Sequence, residues 1–263
     1  MIVLFTDFGL NGPYVGQVKA ALLKIAPNVA IVDLFADAPR YNPRSAAYLL
    51  AAYTLGFDEG TVFLCVVDPG VGSALREPVV VWADGYWFVG PDNGLLHGVA
   101  GRAHVARRWV IDWRPAQLSA SFHGRDLFAP VAARLALGEA PPGQELGVER
   151  YTQPPWPADL REIIYIDHFG NALTGIRAQT LGAESILIVN KQPFVHLRTF
   201  ADAPTGSGFW YENANGLAEI AVNQGRADSQ FGLKIGSVVS VKPRFSISLV
   251  ARVRKVLKMG EKR

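Results

Sequence analysis

Cysteine is nearly absent from this chain: of 263 residues, only Cys65 is one. A single thiol excludes a disulfide framework and a cysteine-built zinc site. It stands inside the apolar run TVFLCVV, which predicts a buried, inert thiol rather than a nucleophile. Long hydrophobic runs are missing as well, so no segment is expected to cross a bilayer. The start, MIVLFTDFG, has neither a basic region nor a cleavage signal, which argues against a signal peptide and makes the cytoplasm the expected setting. Charge of one sign is not in excess. The formal net charge is +3, and lysine and arginine are dispersed rather than gathered, so no nucleic-acid partner is expected. The one basic cluster, RVRKVLKMGEKR at 252–263, reads as a solvated edge strand and chain end.

Several catalytic signatures are also lacking. DFG at 7–9 has no accompanying HRD motif or β3-lysine motif. Glycines 9, 12 and 16 do not make the dinucleotide spacing, and there is no P-loop, H-E-x-x-H or G-x-S-x-G. Phosphoryl transfer, zinc hydrolysis and serine-esterase chemistry all lose support.

What is present is an alternation. IVLFT (2–6), VAIVDLF (29–35) and TVFLCVV (61–67) are short apolar runs, separated by the helically spaced YVGQVKAALLKIAP and PRSAAYLLAAYTLG. PVVVWA and YWFVG flank Asp84-Gly85, a hairpin signal. NGLLHGVA and HGRDLFAPVAARLALG read as further helices. Apolar strands alternating with helices predict an α/β fold, an α/β/α domain over residues 1–140 with a mostly parallel sheet. From about 141 to 160 the texture turns rich in Pro and Gly and reads as a linker. Residues 161–263 hold short strand-like runs, among them EIIYID, SILIVN, LAEIAVN and SISLVARV, which predict a β-rich, barrel-like or sandwich domain.

Ligands of open parallel sheets bind beyond the carboxyl ends of the strands. Asp7, Asp68 and the pair Asp92–Asn93 fall at such ends. Capping or turn formation is the ordinary use of any one of them, and that alternative stays open. In VVDPGVGSALREP a carboxylate and a guanidinium flank a Pro-Gly-Val-Gly turn, and glycines there permit close approach of a ligand. SFHGRDLFAP puts His123, Arg125 and Asp126 within one turn, a group costly to bury unless its members pair or bind something. IDHFGNALTG brings Asp167, His168 and Asn171 to a strand end, and FWYENANG sets aromatics beside Glu212, Asn213 and Asn215. Carboxylate and aromatics together suit a cationic, aromatic ligand.

FTDFG, VVDPGVG, PDNGLL, SFHGRDLFAP and IDHFGNALTG, in that order over nearly the whole chain, resemble the S-adenosylmethionine hydroxide adenosyltransferase family, whose relatives are the fluorinases and chlorinases. The resemblance implies hydrolysis of S-adenosylmethionine to adenosine and methionine by water attack at C5′, with no metal and no cofactor beyond the substrate. It implies an N-terminal α/β domain, a C-terminal β-barrel-like domain, and a homotrimer whose sites join one subunit's N-terminal domain to a neighbour's C-terminal domain. Asp68 and His123 match the family's water-activating acid and histidine. Members commonly carry two adjacent basic residues after the glycine turn, the first of them catalytic. Here Leu75 holds that first place, and Arg76 is expected to take the role. Asp7 matches the carboxylate that holds the ribose hydroxyls, Tyr41 an aromatic stacked on adenine, and Phe122 an apolar wall beside C5′. Asn171 matches the adenine-edge contact and Asp167 the partner of the methionine ammonium. Asn215 stands where the methionine carboxylate is held. Two other readings are kept: a sensor or carrier with little turnover, and a halogenase, which the residues at 68, 123 and 124 disfavour.

Overall fold

The structure is a computed structural model that describes residues 1–73, 76–147 and 156–243. Leu75, the expected strand SISLVARV, the basic tail and residues 148–155 of the expected linker lie outside the described residues. The chain divides into two compact units, Met1–Pro157 and Ala158–Arg263.

The first unit runs β1 (Ile2–Thr6), α1 (Tyr14–Ile25), β2 (Ile31–Phe35), α2 (Pro43–Tyr53), β3 (Val62–Val66), β4 (Pro78–Ala83), β5 (Tyr86–Pro91), α3 (His97–Arg102), β6 (Ala106–Ile111), a π-helical turn at Gly124–Phe128, α4 (Ala129–Ala136) and β7 (Gly143–Leu146). Its seven strands form one sheet in the order β2-β1-β3-β5-β4-β6-β7. β1 pairs in parallel with β2 and β3, and β3 with β5. β4 enters antiparallel between β5 and β6, and β7 is antiparallel to β6, so the sheet is mixed with most strands running one way. β1 and β3 are buried along their whole length, as continuous apolar runs require. On one face Ile2, Leu4, Val62 and Leu64 pack with Val18 and Leu22 of α1 and with Val131 and Ala132 of α4. On the other, the Phe5 ring meets Phe35, which meets Tyr53 of α2. Cys65 is fully buried, and burial pushes its thiol well above the ordinary value. The Asp84-Gly85 turn has positive φ at both residues, as a tight β4–β5 hairpin needs.

β7 falls inside the segment read as a linker. It is short and polar, and it is held at the sheet edge by pairing with β6 and by a two-pronged Arg107–Glu145 ion pair at 2.8 and 2.6 Å.

The second unit runs β8 (Leu160–Ile166), β9 (Ala172–Arg177), β10 (Ser185–Val189), β11 (Gln192–Val195), β12 (Gly208–Glu212), β13 (Leu217–Val222), α5 (Ala227–Phe231) and β14 (Ser240–Pro243). Two antiparallel sheets result, β12-β13-β9-β8 and β11-β10-β14, sharing a core of Ile163, Leu187, Phe194, Trp210 and Ile220. They are open sheets among the described residues, where the sequence reading expected a barrel-like closure. No helix among the described residues is long and apolar enough to cross a membrane.

Candidate active site

In the first unit the site grows from the ends of β1 and β3. Thr6 and Val66 are register partners, and the Asp7 amide donates to the Val66 carbonyl at 3.3 Å. Asp7 and Asp68 therefore emerge from neighbouring parallel strands at the carboxyl edge, where ligands of such sheets bind. Burial pushes the Asp7 carboxyl above its ordinary value, opposed by the Tyr41 amide and reinforced by the Asp68 charge. The Tyr41 amide reaches Asp7 Oδ2 at 3.2 Å. Tyr41 has φ +55° and its residue is 77% exposed, so an unusual backbone holds an aromatic ring out in solvent beside a carboxylate. Directly after it, the Asn42 side chain caps α2 by accepting from the Ser45 amide at 3.0 Å, with Pro43 opening the helix.

After Asp68 the chain turns through Pro69–Ser73. Arg76 folds back over that turn. Its Nη2 donates to Asp68 Oδ2, and its Nη1 to the Gly70 carbonyl and, at 3.0 Å, to Ser73 Oγ. The Asp68 and Arg76 side chains are only 5% and 11% exposed. Asp68 Oδ1 is buried and accepts no hydrogen bond among the described residues. A carboxylate with one oxygen neutralised and one free can receive a proton or orient a water. Gly72 has φ +81°, and a Cβ there would run into the Ala120 carbonyl, so no other residue fits this turn without strain.

His123 closes the group. It lies at the head of the π-helical turn and lines, with Arg76, Ser73, Glu77 and Arg114, a cavity of about 290 Å³. Burial lowers its pKa below the ordinary imidazole value, helped by Arg76 and Arg114 and opposed by Asp68 and Asp126, so the ring is neutral near pH 7. Phe122 stands edge-on to Phe8 and Tyr14, each at 5.6 Å between ring centroids, with the Arg125 guanidinium 5.1 Å from its own ring centroid. Gly124 is packed so tightly that a Cβ would lie 2.9 Å from the Phe8 ring.

Asp7, Tyr41, Asp68, Arg76, Phe122 and His123 thus share one rim of the first unit. Other rim residues do not serve it. Asp92 is buried in an ion pair with Arg108 at 2.5 Å, with His97 3.6 Å from its other oxygen. Asn93 donates to the Val67 carbonyl at 2.9 Å, which ties the end of β3 to the loop after β5. Arg125 and Asp126 pair with each other at 2.6 Å, and Asp126 also accepts the Ser119 amide at 3.0 Å.

In the second unit, Asp167 and Asn171 close the β8–β9 hairpin. The Asn171 amide and Nδ2 donate to the two Asp167 carboxylate oxygens at 2.8 and 3.0 Å. Both line a cavity of about 750 Å³ with Phe169, Phe200, Tyr211 and Arg226. Phe169 is 71% exposed, and Phe200 offers a second aromatic wall. Asn215 is not among the residues lining this cavity. It belongs to the β12–β13 turn, where its amide donates to Asn213 Oδ1 at 3.0 Å. Phe200, Arg226 and Glu219 escape the sequence reading. Glu219 had one signal, a lone acidic residue inside the apolar run LAEIAV. No group of three or more His, Cys, Asp or Glu among the described residues could hold a metal ion.

Residues 2–146 match the SAM hydroxide adenosyltransferase N-terminal domain, and residues 161–240 match the C-terminal domain of the same family. The chain belongs to the SAM hydroxide adenosyltransferase family. The (R)-S-adenosyl-L-methionine hydrolase of Thermus thermophilus is 39% identical over 90% of this chain and 98% of its own. The hydrolase of the same name from Salinispora arenicola is 38% identical over 90% of this chain and 95% of its own. The fluorinase of an Actinoplanes species is more distant, at 27% identity over 92% of this chain and 97% of its own. Among solved structures, an uncharacterized conserved protein from Thermotoga maritima superposes with a TM-score of 0.83 at 33% identity, over 92% of this chain and all of the other.

Proposed function

We propose that this protein hydrolyses S-adenosyl-L-methionine to adenosine and L-methionine. The observation that carries the mechanism is the buried Asp68–Arg76 pair with one carboxylate oxygen left to accept, beside a neutral His123. Water attacks C5′ opposite sulfur, and the C5′–S bond breaks with its electron pair going to sulfur. The sulfonium leaves as a neutral thioether, so the departing group needs no acid. The demand falls on the nucleophile. Arg76 supplies positive charge that stabilises developing hydroxide character, while Asp68 Oδ1 and His123 orient the water and take its proton. An anion-like nucleophile meeting a cation disperses charge in the transition state, so a dry setting speeds the step. Asp7 offers two acceptor oxygens to the ribose hydroxyls, and Tyr41 and Phe122 offer aromatic surface to the adenine and to C5′. Asp167 and Asn171 serve the ammonium and the base.

The relatives are named for the (R) sulfonium epimer, and the same selectivity is inferred here. Incubation with the (R) epimer should release adenosine and methionine in equal amounts. Product levels no higher than in a no-enzyme control, with binding intact, would turn the reading into that of a carrier. Halogenase chemistry is disfavoured by the residues at 68, 123 and 124, the last a glycine at which any Cβ would press on Phe8. The reading includes a homotrimer, tested by sedimentation equilibrium, and a barrel-like closure of the second unit, tested by a crystal structure with substrate bound.

A pH profile follows from His123. Its pKa lies below the ordinary value, so the proton-accepting form predominates at neutral pH and is lost on acidification through the lowered pKa. kcat should be flat from pH 7 upward and fall below the usual histidine range. His123→Gln should abolish that acid limb. An acid limb in kcat that survives unchanged in the variant assigns the proton transfer elsewhere.

A further inference from the structure

We propose that the cavity of about 290 Å³ beside Arg76 and His123 is the route by which water reaches the site and a proton leaves it, separate from the face that holds the nucleoside. This rests on the hydrolase reading, which seats the nucleoside on Asp7, Tyr41 and Phe122.

Each turnover of that reaction consumes one water and releases one proton. S-adenosylmethionine carries one net positive charge, adenosine and zwitterionic methionine carry none, and the released proton restores the balance. His123 takes that proton and has to pass it on before it can accept another. The step also runs fastest with little water around the sulfonium. Substrate seated on the rim closes that face, and a supply crossing it would wet the reacting carbon. Water and proton therefore need a path that reaches the same groups from elsewhere.

The cavity has the required lining. Arg76 and His123, two of the three groups assigned to the water, line it, whereas Asp7, Tyr41 and Phe122 do not. Exposed Ser73, Glu77 and Arg114 give it a polar mouth, and buried Leu127 and Phe128 give it an apolar floor. A water takes about 30 Å³ of liquid volume, so several fit, and polar lining is what keeps such a cavity wet. Arg76 Nε is buried and donates to no acceptor among the described residues. Buried donors are normally satisfied, and a water at the Arg76 wall would satisfy this one. At the mouth, Arg108 Nη2 holds the Glu77 carboxylate at 3.3 Å while the Glu77 side chain stays 52% exposed, so a proton acceptor stands between the cavity and solvent.

The test plugs the cavity after folding. Cys65, the chain's only cysteine, is fully buried, so a thiol placed at half-buried Val110, on the cavity wall, can be labelled alone. Val110→Cys is treated with methyl or benzyl methanethiosulfonate, each of which leaves its group on the thiol as a mixed disulfide and releases methanesulfinate. The benzyl group should lower kcat at least about tenfold, the methyl group should change it less than about twofold, and dithiothreitol should restore the benzyl-labelled protein. Adenosine should bind every form alike by calorimetry, and the acid limb of kcat should keep its midpoint, because the nucleoside face and His123 are untouched. Full kcat with the benzyl label in place overturns the proposal, as does a folded variant whose thiol takes no label. Weakened adenosine binding or a shifted limb overturns it too, since the label then acts on the site and not on the supply. If Val110→Cys does not fold, Pro78→Cys, at another lining residue, carries the same test. Wild-type protein that releases no adenosine from S-adenosylmethionine fails the hydrolase reading and the route with it, whereas wild-type turnover that the benzyl label leaves unchanged fails the route alone.

Discussion

Asp68→Asn should lower kcat by about 100-fold or more while leaving KM for S-adenosylmethionine within a few-fold, because the carboxylate acts on the water and not on the nucleoside. The substitution keeps the side-chain shape but replaces a proton acceptor with an amide. It also takes the counter-charge from Arg76, whose side chain is 11% exposed. Breaking a buried ion pair from one side costs on the order of 3–5 kcal/mol, so the melting temperature should drop as well. The two effects separate by assay well below the new transition. Asp68→Ala should lose at least as much turnover, and adenosine should still bind both variants through Asp7. A folded Asp68→Asn protein turning over within threefold of wild type would remove Asp68 from the chemistry and leave it as the anchor of the glycine turn.

The rim was legible in the sequence because the rule behind it is local and general. β1 and β3 announce themselves as continuous apolar runs, and their first polar residues, Asp7 and Asp68, then fall at the carboxyl edge of a parallel sheet. Asp84-Gly85 is equally local, since turn chemistry is written in adjacent residues. Side chains that find partners far along the chain were not legible. Asp92 looks like a rim carboxylate until Arg108, from β6, arrives beside it across the sheet. β7 hid among prolines and glycines because its strand character comes from β6 and from Arg107, not from its own composition. Glu219 and Leu173, register partners far apart in the chain, meet only because β13 pairs with β9. Asn215 was placed by motif position alone, and a turn residue can satisfy that position by bonding to its own neighbours. The glycine turn after Asp68 was expected to admit a ligand. Its geometry adds a second use, since it also brings a carbonyl and a hydroxyl within reach of Arg76.

That second use makes Arg76 the most exacting position to test. Its guanidinium meets three groups at once, the Asp68 carboxylate, the Gly70 carbonyl and the Ser73 hydroxyl, and only a planar fork can do so. Arg76→Ala should cost about 100-fold or more in kcat, by removing both the charge that favours hydroxide character and the clamp that holds the Asp68 carboxylate. Arg76→Lys should recover part of this, because one ammonium can face Asp68 or the Gly70 carbonyl but cannot span both. If Arg76 and Asp68 act as one unit, Asp68→Asn combined with Arg76→Ala should be hardly slower than either single variant, since the first removal already disables the pair. Multiplying losses would mean separate roles. The chain also offers an internal control at Leu75, the place where the resemblance puts the catalytic arginine. Adding Leu75→Arg to Arg76→Ala should leave turnover low if the geometry around Arg76 is what matters. Recovery to near wild-type turnover would transfer the role to position 75 and reduce Arg76 to a clamp on the turn.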